Sequence, residues 1–398
     1  MGLRLRALLD RVRTGFWAVP AGCVLVALAL GFGLVAVDRA LQDDLGRFTF
    51  GAGPDGAREV LSAITTSMIT FTGLVFSITI VVLQLTSSQF SPRVLRTFLR
   101  DRQTQLSLGV FIATFVYAVL VLRTVNGLDD DVFVPALATT VGLVLLLVSV
   151  GVFVAYIHHV ATAIQVSSIL QSIWDETRHV LDRRLPSGLP TTPLVVRPRE
   201  TPVAQLPSPR AGVLTDVDTE ALVRLARKAD VLLVTDLPVG GFVPEGAPLV
   251  EVHRGDAGAL DDAAVVRAFS LATERTMQSD VAFGFRQLAD ISTRALSPGV
   301  NDPTTAVQAL DKLHDLLRRL ATRPFPTGVH ADDEGRIRLH LPPPRFEDYL
   351  ALALDEAEQY GADTLQVQQR IDAMLLDLQA AALPEHRGAV EARIAARA

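Results

Sequence analysis

Four long apolar runs, at residues 16–37, 60–85, 106–125 and 132–157, constrain this chain more than any other feature of it. Each reaches the roughly 20 mainly apolar residues that a helix needs to cross about 30 Å of hydrocarbon. Inside that solvent a backbone must satisfy its own hydrogen bonds, which a helix does within one segment. The runs therefore predict four transmembrane helices. Arg4, Arg6, Arg11 and Arg13 precede the first run, as they would in a secretory signal. Its length exceeds the roughly 7–15 apolar residues of a cleavable signal, and three more runs follow, so it reads as a retained anchor.

The 398 residues are 49% hydrophobic and only 20% charged, against about 25% charged in ordinary soluble domains. Mean hydropathy is +0.33. The excess lies in the first 157 residues, and the roughly 240 that follow have a soluble composition. Arginines orient the spans, because short basic loops stay cytoplasmic. The N-terminal segment is basic, as is the loop with Arg93, Arg96, Arg100 and Arg102. The other loops carry Asp38, Asp43, Asp44, Asp55 and Glu59, then Asp129, Asp130 and Asp131. The expectation is a multi-pass inner-membrane protein with both termini cytoplasmic. A lone cysteine, Cys23, excludes an intrachain disulfide or a cysteine metal cluster. A net charge of -6 leaves no overall basic footprint for nucleic acid.

The fold expected is an α-helical membrane domain of four transmembrane helices followed by a cytoplasmic α+β domain. Its parts are the spans (1–160), a helical extension with a proline-rich linker (161–210), a small α+β module (211–256) and a mainly helical region (257–398). Nothing breaks the helical pattern of span four before Pro186, so one continuous helix is expected to about Leu185. Seven prolines between 186 and 209 then forbid regular structure. In the module, strands are expected at 212–216 and 230–235 around a helix at 219–229. A glycine-proline turn then joins two short strands in 238–252, similar to the turns of biotinyl and lipoyl carriers but with no lysine to modify. Helical spacing of Val265, Val266, Phe269 and Leu271, and of Val307, Leu310, Leu313, Leu317 and Leu320, predicts helices through 261–323. A strand pair at 329–330 and 336–341 and helices at 346–360 and 363–383 complete the tail.

Span two is the most informative segment. Ser62, Thr66, Thr70, Gly73, Ser77 and Gln84 fall on one arc about 80° wide at 100° per residue. Such a stripe faces protein or water, as a hydroxyl-lined ion path interrupted by Ile80 or Val81, or as a small-residue helix seam; an oligomer packed around this span combines both. The basic loop at 91–102 reads as an amphipathic helix whose arginines meet lipid headgroups or an anion, or as the orientation signal alone. His158 and His159 sit at the inner boundary, where an imidazole can sense pH.

In the tail, Arg286, Asp290 and Arg294 form an i, i+4, i+8 ion-pair ladder. Asn301 and Asp302 occupy the turn that follows, as caps or as a ligand or subunit contact, and Asp302-Pro303 starts the next helix. No histidine spacing suggests a metal, and no cofactor is implied. Phosphate-loop, nucleophile-elbow and zinc-protease motifs do not occur; Asp280, Asp290 and Asp302 are the carboxylates an enzyme would have to use. The string from Asp280 through Ala295-Leu-Ser-Pro-Gly-Val-Asn-Asp-Pro303, with Phe71-Thr-Gly-Leu-Val-Phe-Ser-Ile-Thr-Ile80 and Gln89-Phe-Ser-Pro-Arg-Val94, resembles bacterial predicted membrane proteins of domain-of-unknown-function family 2254. The resemblance covers essentially the whole chain and implies an inner-membrane protein with a cytoplasmic tail, without an activity. The function expected is a homo-oligomeric ion channel or channel-like transport protein in the lipid bilayer, passing a small ion. The alternative is a membrane-anchored scaffold or sensor whose tail binds a protein or small ligand.

Overall fold

The computed structural model describes residues 17–40, 53–89, 101–126, 133–163, 165–185, 201–277 and 279–397. The chain divides into two compact units, Met1–Gln165 and Val166–Ala398. In the first unit, α1 (Ala18–Ala40), α2 (Pro54–Gln89), α3 (Arg102–Leu122) and α4 (Ala136–Ala163) are each long and apolar enough to cross a membrane. Helix α3 packs against the other three and is the most buried of the four.

Polar side chains cross-link this bundle at several depths. Asp38, expected in the acidic loop after the first span, lies in the last turn of α1 and is 4% exposed. It accepts hydrogen bonds from the Leu137 and Ala138 amides at 3.0 and 2.9 Å, capping α4 from a neighbouring helix where the first-turn amides have no intrahelical acceptor. The Tyr117 hydroxyl donates to the Ala138 carbonyl at 2.7 Å, and Thr114 meets Ser149 at 3.2 Å.

The expected continuous helix from span four to Leu185 is interrupted. Helix α4 ends at Ala163, and α5 (Val166–Arg184) begins afresh. At the break the Gln165 amide bonds the Thr162 carbonyl, while the Thr162 hydroxyl bonds back to the His158 and His159 carbonyls. Such back-bonding bends a helix.

Helix α5 is a core element of the second unit, burying Ile169, Leu170, Ile173, Val180 and Leu181. Its neighbour α8 (Val281–Ala295) approaches so closely that a Cβ on Gly284 would lie 1.9 Å from Thr177 Oγ1. Only glycine fits there. Two small sheets follow the order β1-β5-β3-β8-β7 and β4-β2-β6. Their strands are β1 (Ala204–Pro207), β2 (Gly212–Val217), β3 (Leu232–Val234), β4 (Phe242–Val243), β5 (Pro248–His253), β6 (Phe269–Ala272), β7 (Val329–Ala331) and β8 (Ile337–His340). All pairs are antiparallel except β3 with β8. Leu222 and Ala226 of α6 (Thr219–Ala229) join Leu233, Val252 and Leu339 in one core.

Two tail expectations are corrected. Phe269–Ala272 is a strand paired with β2, so the helix begun at α7 (Asp262–Arg267) stops there. Residues 204–207, expected within the irregular proline linker, form the edge strand β1 paired with β5, where Pro207 is tolerated. The remaining helices are α9 (Pro303–Ala321), α10 (Phe346–Tyr360), α11 (Leu365–Ala381) and α12 (Pro384–Ala395).

Candidate functional site

The packing of α2 decides what its polar stripe touches. Ala57, Leu61, Ile64, Met68, Val75 and Val82 are buried against the bundle. Ser62, Thr66, Thr70, Gly73, Ser77, Ile80 and Gln84 are all exposed on the other side, Ile80 at 58%. A Cβ added at Gly73 meets nothing within 4 Å. Among the described residues the stripe is therefore no packing seam. Asp55 and Glu59, expected in the preceding loop, lie in the first turns of α2, exposed on the same arc. Asp55, Glu59 and Ser62 follow one another at 4 and 3 residues, which continues the stripe's own spacing. Asp55 also meets Arg58 at 3.5 Å.

The hydroxyls on this face are partly self-sufficient. Thr66 donates to the Ser62 carbonyl and Thr70 to the Thr66 carbonyl, each at 3.0 Å. This relaxes the expectation that the stripe must meet protein or water. Behind it three aromatic rings pack together. Phe71 stacks on Phe153 at 4.7 Å, and Phe111 meets both edge-on.

At the end of the bundle where α4 finishes, Asp101 caps α3 by accepting from the Gln103 and Thr104 amides and the Thr104 hydroxyl. It also receives His159 Nε2 at 2.9 Å. Burial raises its carboxyl, but the Thr104 bonds and His159 outweigh that and hold it below the usual carboxylate range. Arg102 is exposed at the first position of α3, while Arg93, Arg96 and Arg100 lie outside the described residues.

In the second unit the candidate residues build a corner. Arg286 binds Asp290 at 2.5 Å and grips Glu356 of α10 through both terminal nitrogens, at 2.6 and 2.8 Å. The Glu356 bonds chiefly hold its guanidinium above the ordinary arginine value. Arg294 is exposed in the last turn of α8. Asn301 adopts a left-handed φ of 47°, which turns the chain. Asp302 caps α9 through the Thr305 amide and hydroxyl at 3.1 and 2.6 Å, and chiefly these bonds lower its carboxyl. The Asp302 amide reaches back to the Ala295 carbonyl. The motif is thus a capped helix-turn-helix clamped to α10, and Glu356, 70 residues from Arg286, was the member that local spacing missed.

The three carboxylates suggested for catalysis are committed separately, Asp280 to Arg275, Asp290 to Arg286 and Asp302 to Thr305. Among the described residues no three His, Cys, Asp or Glu side chains group to hold a metal ion.

Comparison with known proteins gives the same outline. An uncharacterized protein of Mycobacterium bovis is 34% identical over 98% of this chain and 77% of its own length, and an uncharacterized protein of Mycobacterium tuberculosis matches equally. No solved structure matches. The profile of one family, described as predicted membrane protein, matches residues 13–377. With four candidate spans in place and that match over most of its length, the chain belongs to domain-of-unknown-function family 2254 of predicted membrane proteins.

Proposed function

We propose that this protein assembles with further copies of itself so that α2 lines a shared polar path across the inner membrane. It is then an ion channel or channel-like transport protein, with residues 166–398 as a cytoplasmic regulatory domain. One observation carries this: the polar stripe of α2 sits on the side of the helix turned away from the bundle core, where Phe71, Phe111 and Phe153 pack ring against ring. A path for small ions along hydroxyls then lies between chains, with Ile80 as the apolar constriction. The basic loops support cytoplasmic termini on this reading. No cofactor or catalysis enters this proposal.

The test is oligomeric state in lipid together with ion flux after reconstitution. An oligomer whose flux is lost in Ser77→Leu supports the proposal. A monomer, or flux indifferent to that substitution, overturns it. The self-bonded hydroxyls of Thr66 and Thr70 favour a second reading, since they let the face lie in lipid unpartnered. On that reading the spans tether a sensor or scaffold, which carries no flux.

A further inference from the structure

The His159–Asp101 contact offers a means of regulating that path. His159 belongs to α4 and Asp101 caps α3, so the contact joins the ends of two helices. Both side chains are about a quarter exposed, open to protons from solvent. Among the described residues, Asp101 is the charged partner of His159. On its own helix Tyr156 lies one turn deeper on the same face, and His158 is exposed. The described part of α2 beyond Glu59 has no titratable residue, and neither charge nor histidine occurs in the first half of α1. Arg102, beside Asp101, is exposed.

One turn along α4 from this contact, a second side chain ties α4 to α2. The Tyr156 hydroxyl is fully buried, meets Thr79 Oγ1 at 2.9 Å and donates toward the Val75 carbonyl at 3.3 Å. Thr79 and Val75 belong to α2, and Thr79 immediately precedes Ile80. Tyr156, one turn from His159 on α4, thus binds the helix that carries the stripe.

We infer that His159 is a proton-operated latch: its protonation tightens the join between α3 and α4 and, through Tyr156, fixes α2 at Ile80. Nε2–H faces Asp101 in either state, and the titrating proton arrives on Nδ1, turning a neutral hydrogen bond into an ion pair. Acid therefore tightens the latch and alkali loosens it. The link to transport rests on the pore proposed above, but the latch itself can be read without it.

The experiment is hydrogen exchange on the full chain in lipid at about pH 8 and about pH 5.5, corrected for the intrinsic pH dependence of exchange, beside flux at the same two values. For a partly exposed ion pair, protection at 101–107 and 156–163 is expected to rise roughly two- to fivefold on acidification. His159→Gln, which keeps a donor but does not titrate, flattens that change, and His159→Lys holds protection high at both values. His158→Gln behaves as the wild type. Flat protection in the wild type, or a pH response surviving in His159→Gln, overturns the latch, and flux whose pH dependence ignores His159→Gln overturns its link to the stripe. A protein that conducts at neither pH, yet loses its protection change in His159→Gln, upholds the latch and overturns the pore.

Discussion

Replacing Gly73 by leucine separates the packing of one chain from the packing between chains. Among the described residues nothing opposes the substitution, because Gly73 is exposed and a Cβ there meets nothing within 4 Å. Exchanging an exposed mid-helix glycine for leucine should even raise helix stability, by up to about 1 kcal/mol. If a second copy packs against the stripe, the added side chain has no room. Overpacking of this kind costs about 1–3 kcal/mol per contact, which weakens association by roughly 5- to 150-fold. Thermal unfolding and single-molecule subunit counting in lipid read the two effects apart. The expected result is an unfolding temperature at or above wild type with a population shifted to smaller assemblies. Gly31→Leu is the internal control: its Cβ meets Leu120 Cδ2 at 3.0 Å, so it should destabilise the chain itself. A Gly73→Leu protein as stable as wild type and as fully assembled refutes the stripe as a contact between copies.

Three further outcomes are expected. Asp38→Ala strands two amides of α4 at a buried helix end and should cost about 2–4 kcal/mol in thermal unfolding, with Asp38→Asn intermediate; a loss under about 0.5 kcal/mol contradicts the cap. A fragment of residues 166–398 should show cooperative unfolding and one of 211–398 should not. The shorter piece loses β1 and the five large apolar side chains buried on α5, roughly 8–15 kcal/mol at most, comparable to a whole domain's stability. His314 donates Nε2–H to Asp377 and accepts from Arg370 at Nδ1, both at 2.8 Å, since arginine can only donate. Burial chiefly holds this imidazole below its ordinary value of 6.5, so its contribution is complete above that pH and falls away below it. Exchange protection of α9 and α11 in the full chain should therefore drop on acidification from about pH 7 to 5, and drop less in His314→Gln.

The four apolar helices were legible because runs of that length have few other uses, and α6 and α10 because each shows a clear polar and apolar face between recognisable ends. Phe269–Ala272 was misread for the same reason. Four residues cannot distinguish a period of 2 from one of 3.6, and the deciding fact, pairing with β2, is non-local. Glu356 and the α4 end of the Asp38 contact were illegible because their partners lie 70 and about 100 residues away. Periodicity shows which residues share a face, not what that face meets. In a membrane protein the limit is sharper, since lipid and bundle interior are equally apolar. The arc on α2 was readable, but its outward direction emerged only from the burial of Leu61, Ile64 and Met68 opposite it.

Depth along α2 narrows where that arc can matter. At 1.5 Å per residue, Glu59 and Gln84 are about 38 Å apart, so both reach headgroup depth, where water satisfies them. Between them Thr66 and Thr70 return their hydroxyls to their own helix and demand no partner. The discriminating position is Ile80, an apolar residue 58% exposed on an otherwise small and polar arc. In a lipid-facing helix, Ile80→Ser adds one hydroxyl that can bond back to its own backbone and changes no flux. In a path closed by dewetting, the same hydroxyl wets the constriction and raises conductance. Leu74, 44% exposed and about 120° round the helix from Ile80, supplies the comparison. Conductance raised by Ile80→Ser and not by Leu74→Ser assigns the arc to a path; equal effects, or none, assign it to lipid.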